Sequence, residues 1–325
     1  MDRVKDRSII VSIVIPVYNE ECYIEKCILS LLQQDYRKEQ MEWIFIDGGS
    51  SDNTVLIIKK YIQKYPELIK LYDNPNKTVP YAMNIGIKSS VGKYIIRLDA
   101  HSEYSEDYIS KCVYYLEKTD ADNVGGVIET KGKGYVGNAI ALMLSSKFGV
   151  GDSKFRTNGK SGYVDTVPFG AFRREVFTKY GLYNEKLTRN QDIELNYRIR
   201  KNGGKIYMAE DIKLKYYCRN RIKEIVAMAI KDGKWNVITM KLCPGAMGIR
   251  HFVPLTFLLS LIVLPLLSIL IPSFIYLFLG EIILYSLLDI ISSIKAAKDN
   301  KYIPLLFILF PIFHLSYGFG SLIGL

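Results

Sequence analysis

Along the first 130 residues, short apolar runs alternate with segments in which apolar positions recur every three or four. VSIVI (11–15), EWIFI (42–46), LIKLY (68–72), YIIRL (94–98) and NVGGVI (123–128) are bounded by polar turns, as buried strands are. Between them Tyr23, Cys27 and Leu31, with Ile24, Ile28 and Leu32, fall at helical spacing. Val55, Ile58 and Ile62 do the same, and a further helix is expected near 80–90. This repetition predicts an α/β domain with a parallel, doubly wound sheet. Ser105, ahead of Glu106 and Asp107, is a candidate cap for the next helix, because its hydroxyl can accept from a free amide of the first turn. Residues 131–163 break the pattern: they are rich in Gly, Ser and Lys around an apolar stretch at 138–148. Such irregularity points to an active-site or acceptor-facing region rather than a linker.

From residue 252 the chain becomes almost continuously apolar. Phe252–Ile271, Ser273–Ile291 and Ile303–Leu325 are each long enough to cross a hydrocarbon core of about 30 Å, so three spans are expected. The Pro272-Ser273 join is short and uncharged, whereas 292–302 carries Lys295, Lys298 and Lys301. The positive-inside rule makes this second join cytoplasmic, together with the basic segment before 252, and leaves the C-terminus outside. Glu281 and Asp289 fall within the second span; intramembrane acids are functional candidates, although Asp289 lies near enough to the end to reach water. Three regions follow: a soluble domain over 1–212, a basic interfacial segment over 213–251 and a membrane domain over 252–325.

Charge supports that division. Residues 1–251 carry 40 Lys/Arg against 30 Asp/Glu, and 252–325 carry three of each, so the whole net charge of +10 belongs to the first part. A basic body joined to a neutral apolar tail suits an anionic membrane face. No zinc spacing, RNA-recognition signature or Arg-rich groove helix is present, so nucleic acid is not an expected partner. Five cysteines (22, 27, 112, 218, 243) form no CxxC pair and are odd in number, which argues for buried thiols in a reducing compartment. The charged opening MDRVKDRSII lacks the apolar stretch of a signal peptide, which keeps the soluble part on the cytoplasmic side.

Chemistry gathers where strands end. YIIRL delivers Asp99-Ala100-His101 and WIFI delivers Asp47, which places two carboxylates at the carboxyl ends of strands, where open α/β sheets bind ligands. Such a pair suggests a nucleotide-diphosphate site. After the first strand, Pro16-Val17-Tyr18-Asn19-Glu20 sets an amide and an acid at the mouth of the sheet. After the second, Asp47-Gly48-Gly49-Ser50-Ser51-Asp52-Asn53-Thr54 combines an acceptor for a base or ribose with glycines that admit close backbone approach. The same octapeptide also reads as a turn in which Ser51 or Asp52 caps the next helix.

PVYNE, IDGGSSDNT, the Ala82–Ile87 segment AMNIGI and GKYIIRLDAH together resemble the nucleotide-binding half of family 2 glycosyltransferases, which have the GT-A fold. VPFGAFRREVF (167–177) and RNQDIELNYRIRKNGGKI (189–206) are similar to the acceptor and catalytic-base region of that family. The Asp-Ala-His form most resembles membrane-associated glucosyltransferases of succinoglycan-type exopolysaccharide assembly. The resemblance implies that Asp47 contacts the uracil of a UDP-sugar, with Pro16, Glu20 and Asn84 in the same nucleotide-sugar site. Asp99 stands at the first acid of the family's DxD motif, near ribose and diphosphate. His101 stands at the second acid, a ligand for Mn²⁺ or Mg²⁺. An imidazole serves Mn²⁺ better than Mg²⁺, which prefers hard oxygen donors, so Mn²⁺ is the favoured cofactor.

Asp192 is the candidate catalytic base: it opens an amphipathic helix (Ile193, Tyr197, Arg198) that stops at Gly203-Gly204, where the helix dipole keeps a carboxylate ionised. Arg198 pairs with Asp192 or with phosphate, and Gly170 belongs to the acceptor region with it. The segment 213–236 mixes cations, tyrosines and apolar residues, as a stretch at headgroup level does. Its Trp235 either stacks on an acceptor sugar or anchors the interface. Processive synthases carry Gln-x-x-Arg-Trp about here; this chain has Lys234-Trp235 alone, so addition of a single sugar is expected. The resemblance implies an inverting hexosyltransferase, glucose favoured, acting on a lipid-linked oligosaccharide at the cell membrane. The alternatives are a polyprenyl-phosphate sugar transferase and a non-catalytic nucleotide-sugar-binding scaffold.

Overall fold

Strands buried on both faces need helices on both sides, and the first half of the chain builds that arrangement. The computed structural model describes residues 8–157 and 159–325. The charged opening at 1–7, where no signal peptide is expected, lies outside the described residues. In order come β1 (Val11–Val17), α1 (Ile24–Leu32), β2 (Met41–Asp47), α2 (Thr54–Lys64), β3 (Ile69–Asp73), α3 (Val79–Ser89) and β4 (Tyr94–Arg97). There follow β5 (Ser102–Tyr104), α4 (Tyr108–Lys118), β6 (Asn123–Lys131), α5 (Gly134–Leu144), α6 (Lys147–Val150), β7 (Gly162–Tyr163), β8 (Ala171–Arg173), α7 (Glu175–Lys179), α8 (Gln191–Lys201) and β9 (Ile206–Tyr217). Four long helices complete the chain: α9 (Ile222–Leu242), α10 (Val253–Leu270), α11 (Phe274–Ala296) and α12 (Ile303–Gly324).

The chain divides into two compact units, one made of the described residues of 1–128 and 158–216, the other of 129–157 and 217–325. This differs from the three consecutive regions expected from the sequence. The apolar stretch at 138–148, expected to face the active site or acceptor, becomes α5 and the start of α6 in the second unit. The basic segment after 216 joins that unit too.

In the first unit the sheet runs β3-β2-β1-β4-β8-β6-β9-β5, with β7 paired to β9. β3, β2, β1 and β4 are parallel, in a register that sets Val17 beside Asp47, Asp47 beside Asp73 and Val14 beside Arg97. Beyond β4 the sheet turns antiparallel, with Ile95 opposite Phe172 and Val124 opposite Ala171. It is therefore mixed, where the strand-helix repetition alone predicts a parallel sheet. Trp43, Phe45, Tyr94 and Tyr108 fill the core with no exposed surface. Gly86 lets α3 lie on β1, because a β-carbon there would stand 2.3 Å from Val14 Cγ1. Ser105 does not cap α4: its hydroxyl donates to the Lys213 carbonyl at 3.1 Å, and Asp107 occupies the cap position with its side chain paired to Lys111 and not to a first-turn amide. All five cysteines are free, with Cys27, Cys112 and Cys218 buried.

A polar knot ties the amino ends of the parallel strands. Glu42, 1% exposed, accepts from Ser12 Oγ at 2.6 Å, Lys70 Nζ at 2.7 Å and the Val91 amide at 2.7 Å. Ser12 Oγ in turn accepts from the Gly92 amide at 2.8 Å. β1, β3 and the turn before β4 thus join in satisfying one buried carboxylate of β2.

In the second unit three helices are long and apolar enough to cross a membrane. The middle one, α11, extends a turn past the expected Ile291 and takes in Lys295. Glu281 accepts from Ser260 Oγ of α10 at 2.5 Å, so it joins two helices. Asp289 is 1% exposed and accepts from Ser293 Oγ at 3.1 Å; packing encloses it, contrary to the expectation that it reaches water. α9 lies backbone to backbone on α12. A β-carbon on Gly233 would stand 2.0 Å from the Tyr317 carbonyl oxygen, and one on Gly320 2.1 Å from that of Ile230. Small residues permit such approach between helices.

Glu42 yields a stability prediction. Burial alone would raise its carboxyl, but the Lys70 ammonium, the Ser12 hydroxyl and the Val91 amide outweigh it and hold it below the ordinary 4.5. Its stabilisation is therefore complete above that value and lost as pH falls through the lower native one. Glu42→Gln should cost about 1–3 kcal/mol at pH 7. Denaturant unfolding of the detergent-solubilised protein should show the gap closing in acid; equal midpoints at pH 7 would remove the knot from the stability account.

Candidate active site

The turns after β1 and β2 are stitched together before any ligand arrives. Asn19 takes a left-handed backbone, φ 54°, which asparagine tolerates better than most residues. Its side chain accepts from the Ser51 amide at 2.8 Å, while its own amide donates to Ser50 Oγ at 2.9 Å. The Glu20 amide donates to Thr54 Oγ1 at 2.7 Å. Asp47, 6% exposed, accepts from the Gly49 amide at 3.0 Å, the Ser50 amide at 3.1 Å and Ser50 Oγ at 2.6 Å. Gly49 sits at φ 83°, where a side chain would be strained. Asp52 Oδ1 accepts from the Thr54 amide at 3.0 Å, so Asp52 satisfies the first amide of α2 while Asn53 occupies the cap position.

A cleft opens at this edge. Pro16, Glu20, Gly48, Lys77, Arg97, Asp99 and His101 line it. Four of the six residues expected to hold nucleotide-sugar or metal, Pro16, Glu20, Asp99 and His101, therefore share one cavity, and Asp47 lies next to its wall at Gly48. Tyr104 fixes the backbone of Asp99: its hydroxyl accepts from the Asp99 amide at 2.8 Å and donates to the Asp99 carbonyl at 3.1 Å. His101 Nδ1 lies 3.1 Å from Glu20 Oε1 and its ring meets Tyr216 edge-on at 5.5 Å. A carboxylate only accepts, so Nδ1 carries the proton in that contact.

Among the described residues no group of three or more His, Cys, Asp or Glu side chains forms a metal cage. Asp99 and His101 nonetheless offer a carboxylate and an imidazole to one cleft. A divalent cation held by so few protein donors takes its remaining ligands from substrate phosphates and water. The donor set fits a divalent cation on those terms.

Asp192 reaches the same edge from α8, which starts after Asn190 in the left-handed region at φ 60°. Its carboxylate pairs through Oδ1 with Arg97, a residue of β4. Burial and the neighbouring Asp99 raise its carboxyl above the ordinary 3.8, and Arg97 opposes them. The charge that favours ionisation is thus a buried guanidinium, beyond the helix dipole that the sequence suggests. Burial lowers Arg97 in turn, but Asp192 and Asp99 outweigh it and raise it. Arg97 stays charged.

Three expected site residues have other tasks. The Asn84 amide nitrogen donates to the Tyr183 carbonyl at 3.0 Å and to Glu185 Oε1 at 2.8 Å, and its oxygen accepts from the Tyr183 amide at 2.9 Å. Buried and fully engaged, it latches the loop before α8 rather than facing the cleft. Arg198 grips Glu194 through Nε at 2.9 Å and Nη2 at 2.8 Å, and donates to the Tyr180 and Leu182 carbonyls. It pairs with neither Asp192 nor an open phosphate position, because the i,i+4 partner Glu194 is nearer. Gly170 accepts the Arg97 amide at 3.0 Å, and a β-carbon there would stand 2.2 Å from Asn123 Oδ1, so packing demands it. Trp235 is half-buried on α9 in the second unit.

Sequence reasoning missed Arg97, Tyr104 and Lys77. A lone cation in the apolar run YIIRL signals the first; Tyr104 left no signal, since its role depends on a fold back onto Asp99. Lys77 ends the turn after β3, the third carboxyl end at this edge.

A family model described as glycosyl transferase family 2 matches residues 12–181. The chain is 30% identical over 318 residues to the dolichyl N-acetyl-α-D-glucosaminyl phosphate 3-β-D-2,3-diacetamido-2,3-dideoxy-β-D-glucuronosyltransferase of Methanococcus voltae, covering 95% of each. It is 30% identical over 245 residues to the succinoglycan biosynthesis protein ExoA of Rhizobium meliloti, covering 75% of this chain and 74% of that one. Among solved structures, a mannosyltransferase of Pyrobaculum calidifontis in complex with GDP-Man and Mn²⁺ aligns with a TM-score of 0.64 at 17% identity, over 96% of this chain and 86% of that one. S. aureus TarS with UDP-GlcNAc aligns with a TM-score of 0.53 at 16% identity, over 75% and 73%. The fold is therefore GT-A-like, and the chain belongs to glycosyltransferase family 2.

Proposed function

We propose that this glycosyltransferase moves a hexose, glucose favoured, from a UDP-sugar to a lipid-linked saccharide, with inversion at the anomeric carbon. The observation that carries the reading is the convergence of Asp99, at the end of β4, and Asp192, at the start of α8, on one guanidinium. Asp99 and Arg97 line the cleft, and Asp192 is tied to it through Arg97, so the acid read for the donor diphosphate and the acid read for the acceptor share one guanidinium.

The chemistry needs one base. Arg97 occupies Asp192 Oδ1, which leaves Oδ2 to accept the acceptor hydroxyl's proton. As that proton moves to Asp192, the hydroxyl oxygen attacks the anomeric carbon, the bond from that carbon to the β-phosphate oxygen breaks, and UDP departs with the electron pair. A single displacement reverses the configuration. A divalent cation at Asp99 and His101 supplies positive charge against the growing charge on the leaving diphosphate. Pro16, Glu20 and Asp47 would hold the uridine, with Lys77 at the cleft as a further cation for phosphate.

The acceptor reading draws on the Methanococcus relative, whose name describes transfer to a sugar already carried on dolichyl phosphate. That favours a lipid-linked saccharide over bare lipid phosphate. The Rhizobium relative's name places it in succinoglycan biosynthesis, in keeping with assembly of a cell-surface polymer. Lys295 in the last turn of α11, Lys298 and Lys301 between α11 and α12, and the basic stretch before residue 252 favour a multi-pass cell-membrane protein with the catalytic unit on the cytoplasmic side.

Asp192→Asn should lower transfer from radiolabelled UDP-hexose by about 10²–10⁴-fold while UDP affinity, read by calorimetry, stays near its original value. Transfer at the wild-type rate would exclude Asp192 as the base. His101→Asp replaces an imidazole with a hard oxygen donor, so the ratio of Mg²⁺- to Mn²⁺-supported rates should rise several-fold. An unaltered ratio would take His101 out of the metal shell.

A further inference from the structure

Arg97 is the charged residue of an otherwise apolar strand, 5% exposed. Its two terminal nitrogens go to different elements: Nη1 to Asp192 Oδ1 on α8, and Nη2 to Asp99 Oδ1 at 3.4 Å, just past its own strand. Its Nε is buried without a hydrogen-bond partner among the described residues, and the groups acting on its charge are Asp192, Asp99 and the Tyr183 hydroxyl. Its backbone is fixed on both sides, by register with Val14 and by the bond to the Gly170 carbonyl. Tyr183, 3% exposed, closes the socket beside it and is itself clipped by Asn84.

Burying a guanidinium is costly, and an apolar residue of similar volume commonly serves stability as well. What an apolar residue cannot do is fix the direction of a carboxylate. A planar fork with separate donors sets both the place and the rotation of each acid it holds. Taking Oδ1 of Asp192 determines where Oδ2 points, and the second arm refers that direction to Asp99.

We propose that Arg97 is a positioning residue that aims the Asp192 carboxylate at the acceptor hydroxyl and registers it against the donor-side acid Asp99. The inference rests on Asp192 being the base. It assigns Arg97 no contact with the reacting atoms: its effect passes through Asp192, and misplacement of a reacting group by about 1 Å costs on the order of 10²-fold in rate. Lysine would keep the charge but, as a point donor on a flexible stem, would hold one acid rather than two.

The test is a double-mutant cycle in the full-length, detergent-solubilised protein, with kcat and KM for UDP-hexose and the Kd for UDP measured for each variant. Arg97→Gln should lower kcat by about 10–100-fold with donor KM and UDP Kd changed less than about threefold, and Arg97→Lys should fall between it and wild type. In the Asp192→Asn background, where residual transfer is followed with radiolabelled donor, Arg97→Gln should cost less than about twofold more. Multiplicative losses in that background would overturn the proposal in favour of a general structural role. A weakened UDP Kd with kcat preserved would overturn it in favour of direct phosphate binding. Should Arg97→Gln lack UDP-induced thermal stabilisation, the same cycle is read with Arg97→Lys. Wild-type transfer by Asp192→Asn alone would instead strike at the base assignment, a result separable from any seen with the Arg97 variants.

Discussion

Parallel pairing of β1, β2, β3 and β4 imposes the constraint on which the site depends. Strands that share a direction release their last residues at one edge, so each turn there contributes side chains to the same space. The register Val17–Asp47–Asp73 brings three such turns level, and Val14 opposite Arg97 sets the fourth. The turns then fasten to each other through Asn19, Ser50, Ser51 and Thr54. The antiparallel strand β8 begins beyond β4, and the loops on that side lead towards α8 and Asp192.

The two ends of the sheet treat buried charge differently. At the amino end Glu42 is surrounded by a hydroxyl, an ammonium and an amide, each donating to it, and nothing there is left open to a ligand. At the carboxyl end one guanidinium serves two carboxylates, and Asp192 keeps 29% of its side chain accessible. The first arrangement is complete in itself. The second leaves negative charge in excess beside a cleft, a condition suited to a cation and to a proton in transit.

Much of the first half was legible because its signals are local. Five apolar runs, the acids that end two of them and the three long apolar stretches near the C-terminus depend on neighbours in sequence. Their boundaries move by no more than a few residues on folding. The antiparallel half depended on partners such as Phe172 for Ile95 and Ala171 for Val124, which no periodicity relates. The same distance hid the roles of Asn84, which serves a loop a hundred residues away, and of Arg97, whose partner lies on a later helix. Arg198 was misjudged for the opposite reason: Glu194 is its closest neighbour on the helix, and the local pair prevailed over the distant ligand. The region 131–163 looked irregular because its apolar residues answer to helices far along the chain.

That last feature bears on the order in which the protein is made. The chain passes between its two units three times, near residues 128, 157 and 216. The His314 Nε2–H donates to the Phe148 carbonyl at 2.8 Å, so α6 reaches its partner α12 across 166 residues of intervening chain. At ribosomal rates of about 5–20 residues per second, α5 and α6 emerge on the order of ten seconds before that partner exists. For the first part of that interval the strands of the first unit are also short of β8 and β9. Neither unit can finish folding as the first half leaves the ribosome, and the surfaces of α5 and α6 that α12 covers stay without that partner until the last helix has been made.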